Sequence, residues 1–140
     1  MSRRRVVVTG MGIISPVGNN IKEYWDALTN GENGIGKITL FDTNDFSVKI
    51  AGEIKNIDFT SFLDRKEMNR MDRFTILALI AAQEAVKQSR LEKHSLDSNR
   101  IGVIVGSGIG GITTLTNQYK KLLNSPRRVS PFFIPSLISD

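Results

Sequence analysis

From Met71 to Leu91 the chain carries a helical pattern whose apolar residues, Phe74, Ile76, Leu77, Leu79, Ile80 and Val86, occupy nearly the whole circumference, with alanines at 78, 81, 82 and 85. A helix apolar all round has no face to give to water and is expected to be buried on more than one side. The small alanines allow it to sit close between two packed layers. Whatever else this sequence does, it asks for a layered fold around that helix.

The neighbouring elements read as alternating strands and helices. "RVVVTGMGIIS", Arg5 to Ser15, is a strand entering a glycine-containing bend that Pro16 stops. A helix follows, with Asn20 as N-cap, Glu23 at the capping-box position and Ile21, Tyr24, Trp25 and Leu28 at helical spacing. Asn30-Gly31 ends it, and "NGENGIG" reads as loop. "FSVKIAGEI", Phe46 to Ile54, alternates as a half-buried strand does, and "DFTSFLDRKEMNRMDRF" mixes charges as a solvated segment does. Ile101 to Val105 is a short continuous apolar strand of the buried kind. After it, Leu115, Tyr119 and Leu122 mark a helix that ends near Asn124 and Pro126, and Ser136 to Asp140 looks like the first turn of another. The order β, α, β, α, β, α predicts an α/β fold with a layered sheet.

Composition fits such a domain. The 140 residues are 40% hydrophobic and 24% charged, enough for a core and against disorder. The apolar run Val6–Val8 is too short for a secretory signal and the longest one, Ile76–Ala82, is far below a membrane span, so a soluble, cytoplasmic chain is expected. There is no cysteine, so the chain itself offers no disulfide, thiolate ligand or thiol nucleophile. Its single histidine, His94, lies in the polar connection "LEKHSLDSNR" and reads as a surface residue.

The net charge of +5 is unevenly placed: between Asp97 and Asp140 there is no acidic residue, while Arg100, Lys120, Lys121, Arg127 and Arg128 are all basic. A region of one sign suits an acidic partner, whether nucleic acid, anionic lipid or protein, or is a solvated face balanced elsewhere in the fold. The basic residues lack the interleaved aromatics and the motif of a nucleic-acid module, which stays as an alternative reading.

Two glycine clusters invite a nucleotide-binding interpretation. "GMGIIS" follows G-x-G-x-x-G until Ser15 takes the third glycine position, and Pro16 stands where the helix should already run. "GSGIGG", Gly106 to Gly111, closes a stretch with five glycines in ten residues but lacks the Lys-Ser/Thr of a P-loop. Backbone amides alone can still hold an anion, and glycines chosen only for a tight strand-to-helix turn explain the cluster equally well. Ile109 tilts the reading: a bulky β-branched side chain between bare glycines suits an apolar plug better than a phosphate grip.

Taken in order, "RRVVVTGMGIISPVGN", "DRKEMNRMDRF", "RIGVIVGSGIGG" and "PRRVSPFFIPS" resemble the amino-terminal part of the β-ketoacyl-acyl-carrier-protein synthases, with "GSGIGG" and "SPFFIPS" closest to the type II elongating members of bacterial fatty-acid synthesis. The resemblance covers essentially all of the chain. It implies a thiolase-like fold, five-layered α/β/α/β/α, of which residues 1–140 would be an incomplete amino-terminal part of the first half, ending in mid-element. It implies a homodimer without a cofactor, acting on acyl and malonyl thioesters of acyl-carrier protein, with neither nucleic acid nor membrane as partner. The family reaction is a decarboxylative condensation that needs a cysteine nucleophile, two histidines and an oxyanion hole. No residue of this chain matches that catalytic set, which the resemblance puts beyond Asp140, so the 140 residues alone are expected to be inactive. What the resemblance does assign here is an acyl pocket at Gly108, Ile109, Phe132 and Phe133, with "SPFFIPS" near the dimer contact and lining the pocket of the partner subunit, and carrier-protein docking at Lys66, Arg70, Arg127 and Arg128, the last two acting across the dimer. Asn69 stands where relatives often have another basic residue, which weakens the expected docking patch. A non-catalytic relative, the chain-length partner of polyketide ketosynthases, is the alternative that would explain the missing cysteine more directly.

Overall fold

The computed structural model describes residues 3–91 and 96–138, so His94 lies outside the described residues. The chain divides into two compact units, one formed by Met1–Ile57 with Ile80–Ser95 and the other by Asp58–Leu79 with Leu96–Asp140. Helix α3 belongs to both, because the division falls within it.

In the first unit, α1 runs over Ile21–Thr29. The side chain of Asn20 caps it, accepting the Glu23 N–H at 2.9 Å. The expected capping box is shifted by one residue, since the Glu23 carboxylate accepts from the N–H of Asn19 at 2.9 Å instead of that of Asn20. Gly31, at φ 69°, supplies the left-handed residue just past the helix end. Two short strands follow, β1 (Ile35–Lys37) and β2 (Ile50–Gly52), paired antiparallel with Gly36 opposite Ala51. Here the sequence reading needs correction: the strand expected over Phe46–Ile54 is paired only at its centre, and its partner lies in "NGENGIG" and the residue after it, read as loop. Ile35 and Lys37 are the only non-glycine residues of that strand, too little alternation to announce it.

Beside this hairpin the Glu53 side chain is buried, at 7% exposure. It accepts from the Thr39 N–H at 2.9 Å, the Thr39 hydroxyl at 2.8 Å and the Leu40 N–H at 3.1 Å. Those donors, the backbone and then the hydroxyl of Thr39 foremost, hold its carboxyl below the usual glutamate value, against the opposing effect of desolvation.

Helix α3 spans Arg73–Ser89. Its carboxyl-side part carries the first glycine cluster. A Cβ on Gly10 would collide with the Ala85 carbonyl oxygen and one on Gly12 with that of Ala81, so the extended chain lies directly on the helix backbone. Polar side chains of the same face satisfy the amides this contact would leave bare. Gln88 accepts from the Met11 N–H at 2.6 Å, and the two carboxylate oxygens of Glu84 accept from Ile13 and Ile21 at 3.0 and 2.9 Å. The glycines of "GMGIIS" therefore serve helix packing. The expected all-round burial of the helix is only partly realised: Ile76 and Ile80 are buried, most of the other apolar positions half-buried, and Ala82 exposed.

The second unit contains a 3-10 turn at Phe59–Ser61 and a one-turn helix, α2 (Arg65–Met68), followed by the start of α3. Beyond a further turn at Ser98–Arg100 come α4 (Ile112–Asn124), a 3-10 turn at Pro126–Arg128 and α5 (Phe133–Leu137). The last helix begins three residues earlier than the sequence suggested. Pro135 does not prevent this, because it falls in the first turn, where N–H groups have no intrahelical partner.

The strands expected over Arg5–Ser15 and Ile101–Val105 are not paired in any sheet among the described residues. Their side chains are open as well, with Val6 93%, Val103 85% and Ile104 99% exposed. An apolar run becomes a buried strand only with neighbours on both edges and cover on both faces, and the described residues supply neither. At the end of the first segment Ser15 alone is paired, through mutual bonds with Gly18 that close a tight turn at Pro16-Val17.

Candidate functional site

All eight residues that the resemblance assigned a role lie in the second unit. Their positions follow from local structure. Asp64 precedes α2, which places Lys66 on its exposed surface, and the N–H of Arg70 bonds back to the Glu67 carbonyl at 2.9 Å just past the helix end. Arg127 and Arg128 stand exposed on a turn opened by Pro126, whose fixed φ suits a first helical position. That turn packs on α4, and the Gln118 side chain of α4 accepts from the Ser130 N–H at 2.9 Å beyond it. No carboxylate lies between residues 98 and 138 to neutralise this surface.

The apolar set is placed by a different device. Phe132 sits at the start of α5 with Phe133 as its first residue, and the Ser130 carbonyl accepts from the Phe133 N–H at 3.0 Å. Gly106 and Gly108 stand in open space, where an added Cβ would meet nothing within 4 Å. Ser107 and Gly110 close a small turn, the hydroxyl accepting the Gly110 N–H at 3.0 Å, and Gly110 takes φ 76°. Ile109 projects from that turn with 80% exposure. The structure thus holds Ile109 as a projecting apolar side chain, the arrangement read from the sequence, but does not enclose it within walls of the described residues.

Two residues from different assigned sets do meet. The Arg70 guanidinium lies over the Phe132 ring, 5.3 Å from its centroid. A second contact runs through the backbone: the Ser136 hydroxyl, nearly buried, donates to the Arg70 carbonyl at 2.8 Å. Sequence reasoning missed two residues of this neighbourhood, Asp72 and Ser136, both buried polar side chains. The signal available for Asp72 was its place just ahead of a strong helix; nothing in the sequence marked Ser136.

Compared with known proteins, residues 3–140 match the family model described as "Beta-ketoacyl synthase, N-terminal domain". A 3-oxoacyl-[acyl-carrier-protein] synthase 2 of Staphylococcus aureus (strain COL) is 51% identical over 138 residues, which are 98% of this chain and 33% of that protein. This chain therefore spans about a third of the length of the curated relative. Among solved structures, the ishigamide ketosynthase/chain length factor superposes with a TM-score of 0.79 at 27% identity, over 98% of this chain and 34% of that one. A type II PKS ketosynthase in complex with its acyl-carrier protein and bound to the hexaketide superposes with a TM-score of 0.77 at 26% identity, over 98% of this chain and 37% of that one. The α/β arrangement described above is accordingly the ketosynthase, thiolase-like fold over the part these chains share.

Proposed function

The chain belongs to the β-ketoacyl synthase family, as its N-terminal domain, and from that premise we propose that the whole protein is a 3-oxoacyl-acyl-carrier-protein synthase of type II. It elongates fatty acids by condensing an acyl donor with malonyl-acyl-carrier protein. In this reading residues 1–140 are the amino-terminal part of a thiolase-like ketosynthase domain. They contribute carrier-protein docking, part of the acyl pocket and dimer contacts, while the cysteine and two histidines of the reaction come from elsewhere in the whole protein. The cysteine thiolate takes the acyl group from its carrier thioester and releases the carrier thiol. Malonyl-carrier protein then loses CO2, and the resulting carbanion attacks the acyl-enzyme thioester, forming the new C–C bond and freeing the cysteine.

One observation carries the division of labour proposed for this chain: a basic residue and an apolar residue assigned to different tasks touch each other, Arg70 over Phe132. Arg70 and Lys66, together with the Arg127-Arg128 turn acting across the dimer, offer positive charge to an acidic carrier protein. Individually exposed charges contribute little, but together they steer encounter in a salt-dependent way. Ile109, Gly108, Phe132 and Phe133 are the apolar counterpart, lining the site for the acyl chain. The solved ketosynthase held by its acyl-carrier protein supports the choice of partner. A cytoplasmic homodimer fits this chemistry, and among the described residues no helix is long and apolar enough to cross a membrane.

The test is a condensation assay of the whole protein with acyl- and malonyl-carrier protein. Formation of the 3-oxoacyl product, with CO2 released in equal amount, is expected. A whole protein that binds carrier protein but forms no product would move the assignment to the chain-length-partner class, to which the ishigamide ketosynthase/chain length factor points. Binding to DNA as tight as binding to carrier protein would instead return the basic face to nucleic acid.

A further inference from the structure

The Asp72 side chain is 4% exposed and reaches a different helix. Its carboxylate accepts the N–H of Thr114, 42 residues away, at 2.6 Å. That N–H is one of the unpaired donors in the first turn of α4, whose N-cap position is Gly111 and so has no side chain with which to cap itself. A carboxylate at that end also meets the positive end of the helix dipole, and the bond is charge-assisted.

Gly111 is clamped in the same place. Its N–H donates to the Leu137 carbonyl at 3.0 Å, and an added Cβ would stand 2.9 Å from the Leu137 Cα and 3.2 Å from the Asp72 carboxylate. The Ser136 hydroxyl closes the joint by donating to the carbonyl of Arg70, two residues before Asp72. Three segments thus converge: the entry to α3, the entry to α4 and the end of α5. The glycine loop is anchored at this exit and open at its entrance, where a Cβ added to Gly106 or Gly108 would meet nothing within 4 Å. Ile109 is two residues from the clamped Gly111, joined to it through the left-handed Gly110.

We propose that Asp72 is a positioning residue for acyl-chain selection: by capping α4 it fixes the exit of the glycine loop, hence the place of Ile109, hence the chain lengths the whole protein accepts. This rests on the reading of Ile109 as an acyl-pocket residue. Asp72 touches no substrate and acts through Ile109 alone.

The experiment compares kcat/KM for a long and a short acyl-carrier-protein donor in the whole protein and in Asp72→Ala, Asp72→Asn and Gly111→Ala. Asp72→Ala removes the acceptor and Gly111→Ala wedges the same joint from the other side. Each is expected to change the long-to-short ratio at least fivefold, in the same direction. Asp72→Asn, which keeps an acceptor oxygen, falls between them and the parent. A ratio that stays constant while both donors lose equally, or lose nothing, overturns the proposal. Amide hydrogen exchange provides a readout independent of turnover and usable on whichever variants fold. Exchange at Thr114 and through 106–111 should quicken in the variants while residues 76–86 of α3 keep their protection; unchanged exchange in the loop overturns the proposal as well. If the parent forms no product from any donor, the assigned activity fails, and exchange alone then decides whether Asp72 holds the loop.

Discussion

The guanidinium of Arg70 rests over the ring of Phe132, 5.3 Å from the centroid, so a residue assigned to carrier-protein docking and a residue assigned to the acyl pocket share one contact. A cation over an aromatic face is worth about 0.5–1 kcal/mol at an exposed site. An acidic partner that pairs with Arg70 competes for the same charge. In the proposed reading, docking and the freedom of Phe132 are therefore coupled in energy.

Arg70→Ala is expected to raise KM for a carrier-protein-linked donor about threefold to tenfold and to reduce the salt dependence of that KM. Turnover of a small thioester without a carrier should change far less. Equal losses with both kinds of donor would show that Arg70 serves folding and not docking.

Ile109→Phe adds bulk to a side chain that already projects from its turn. The whole protein carrying it should accept shorter acyl chains than its parent, with turnover of the shortest donors largely intact. Measuring kcat/KM along a series of donor lengths checks this, and parallel losses at every length would reduce the glycines to turn geometry alone.

Gly12→Ala places a methyl against the Ala81 carbonyl on α3. Overpacking of this kind costs about 1–3 kcal/mol. Glu84→Ala should cost a similar amount, about 1–3 kcal/mol, because it leaves the N–H groups of Ile13 and Ile21 without their acceptor. Urea unfolding of the whole protein measures both. If instead "GMGIIS" held a dinucleotide, Gly12→Ala would abolish binding of that nucleotide, which calorimetry with the parent would first have to detect.

Glu53 gives a pH signature. Its carboxyl is held below the ordinary value of 4.5 by the N–H and hydroxyl of Thr39. A group with a depressed folded pKa contributes its full stability above the unfolded value and loses it as pH falls through the folded one. Glu53→Gln should therefore lower the urea midpoint at pH 7, and the gap from the parent should narrow steadily once pH drops below 4.5. A gap that is constant with pH would mean that the Glu53 carboxyl titrates alike in the folded and the unfolded chain.

Much of the local structure was legible because it depends on near neighbours in the chain. Asn20 capping α1, Gly31 past its end and the stop at Asn124 and Pro126 all follow from residues within a turn of each other. The hairpin was half legible: β2 shows alternation, whereas β1 is three residues with a central glycine and becomes a strand only by pairing with β2. The segments Val6–Val8 and Ile101–Val105 have strand composition without strand pairing, since hydrogen-bond partners are supplied by other segments and not by propensity.

The candidate site divides along the same line. By itself the sequence determined the positive charge between Asp97 and Asp140 and the glycines that flank Ile109, while the docking task proposed for Lys66, Arg70, Arg127 and Arg128 rests on the family resemblance. It also determined what this chain lacks, since no fold can supply a thiol to a sequence without cysteine. Only the tertiary structure decided what the glycines of "GMGIIS" are for, that Arg70 meets Phe132, and that Asp72 caps a helix 42 residues away. The physical reason is that hydrogen bonds and close contacts are short-ranged in space and indifferent to separation along the chain. A carboxylate that must be desolvated finds whichever unpaired N–H the fold brings within reach.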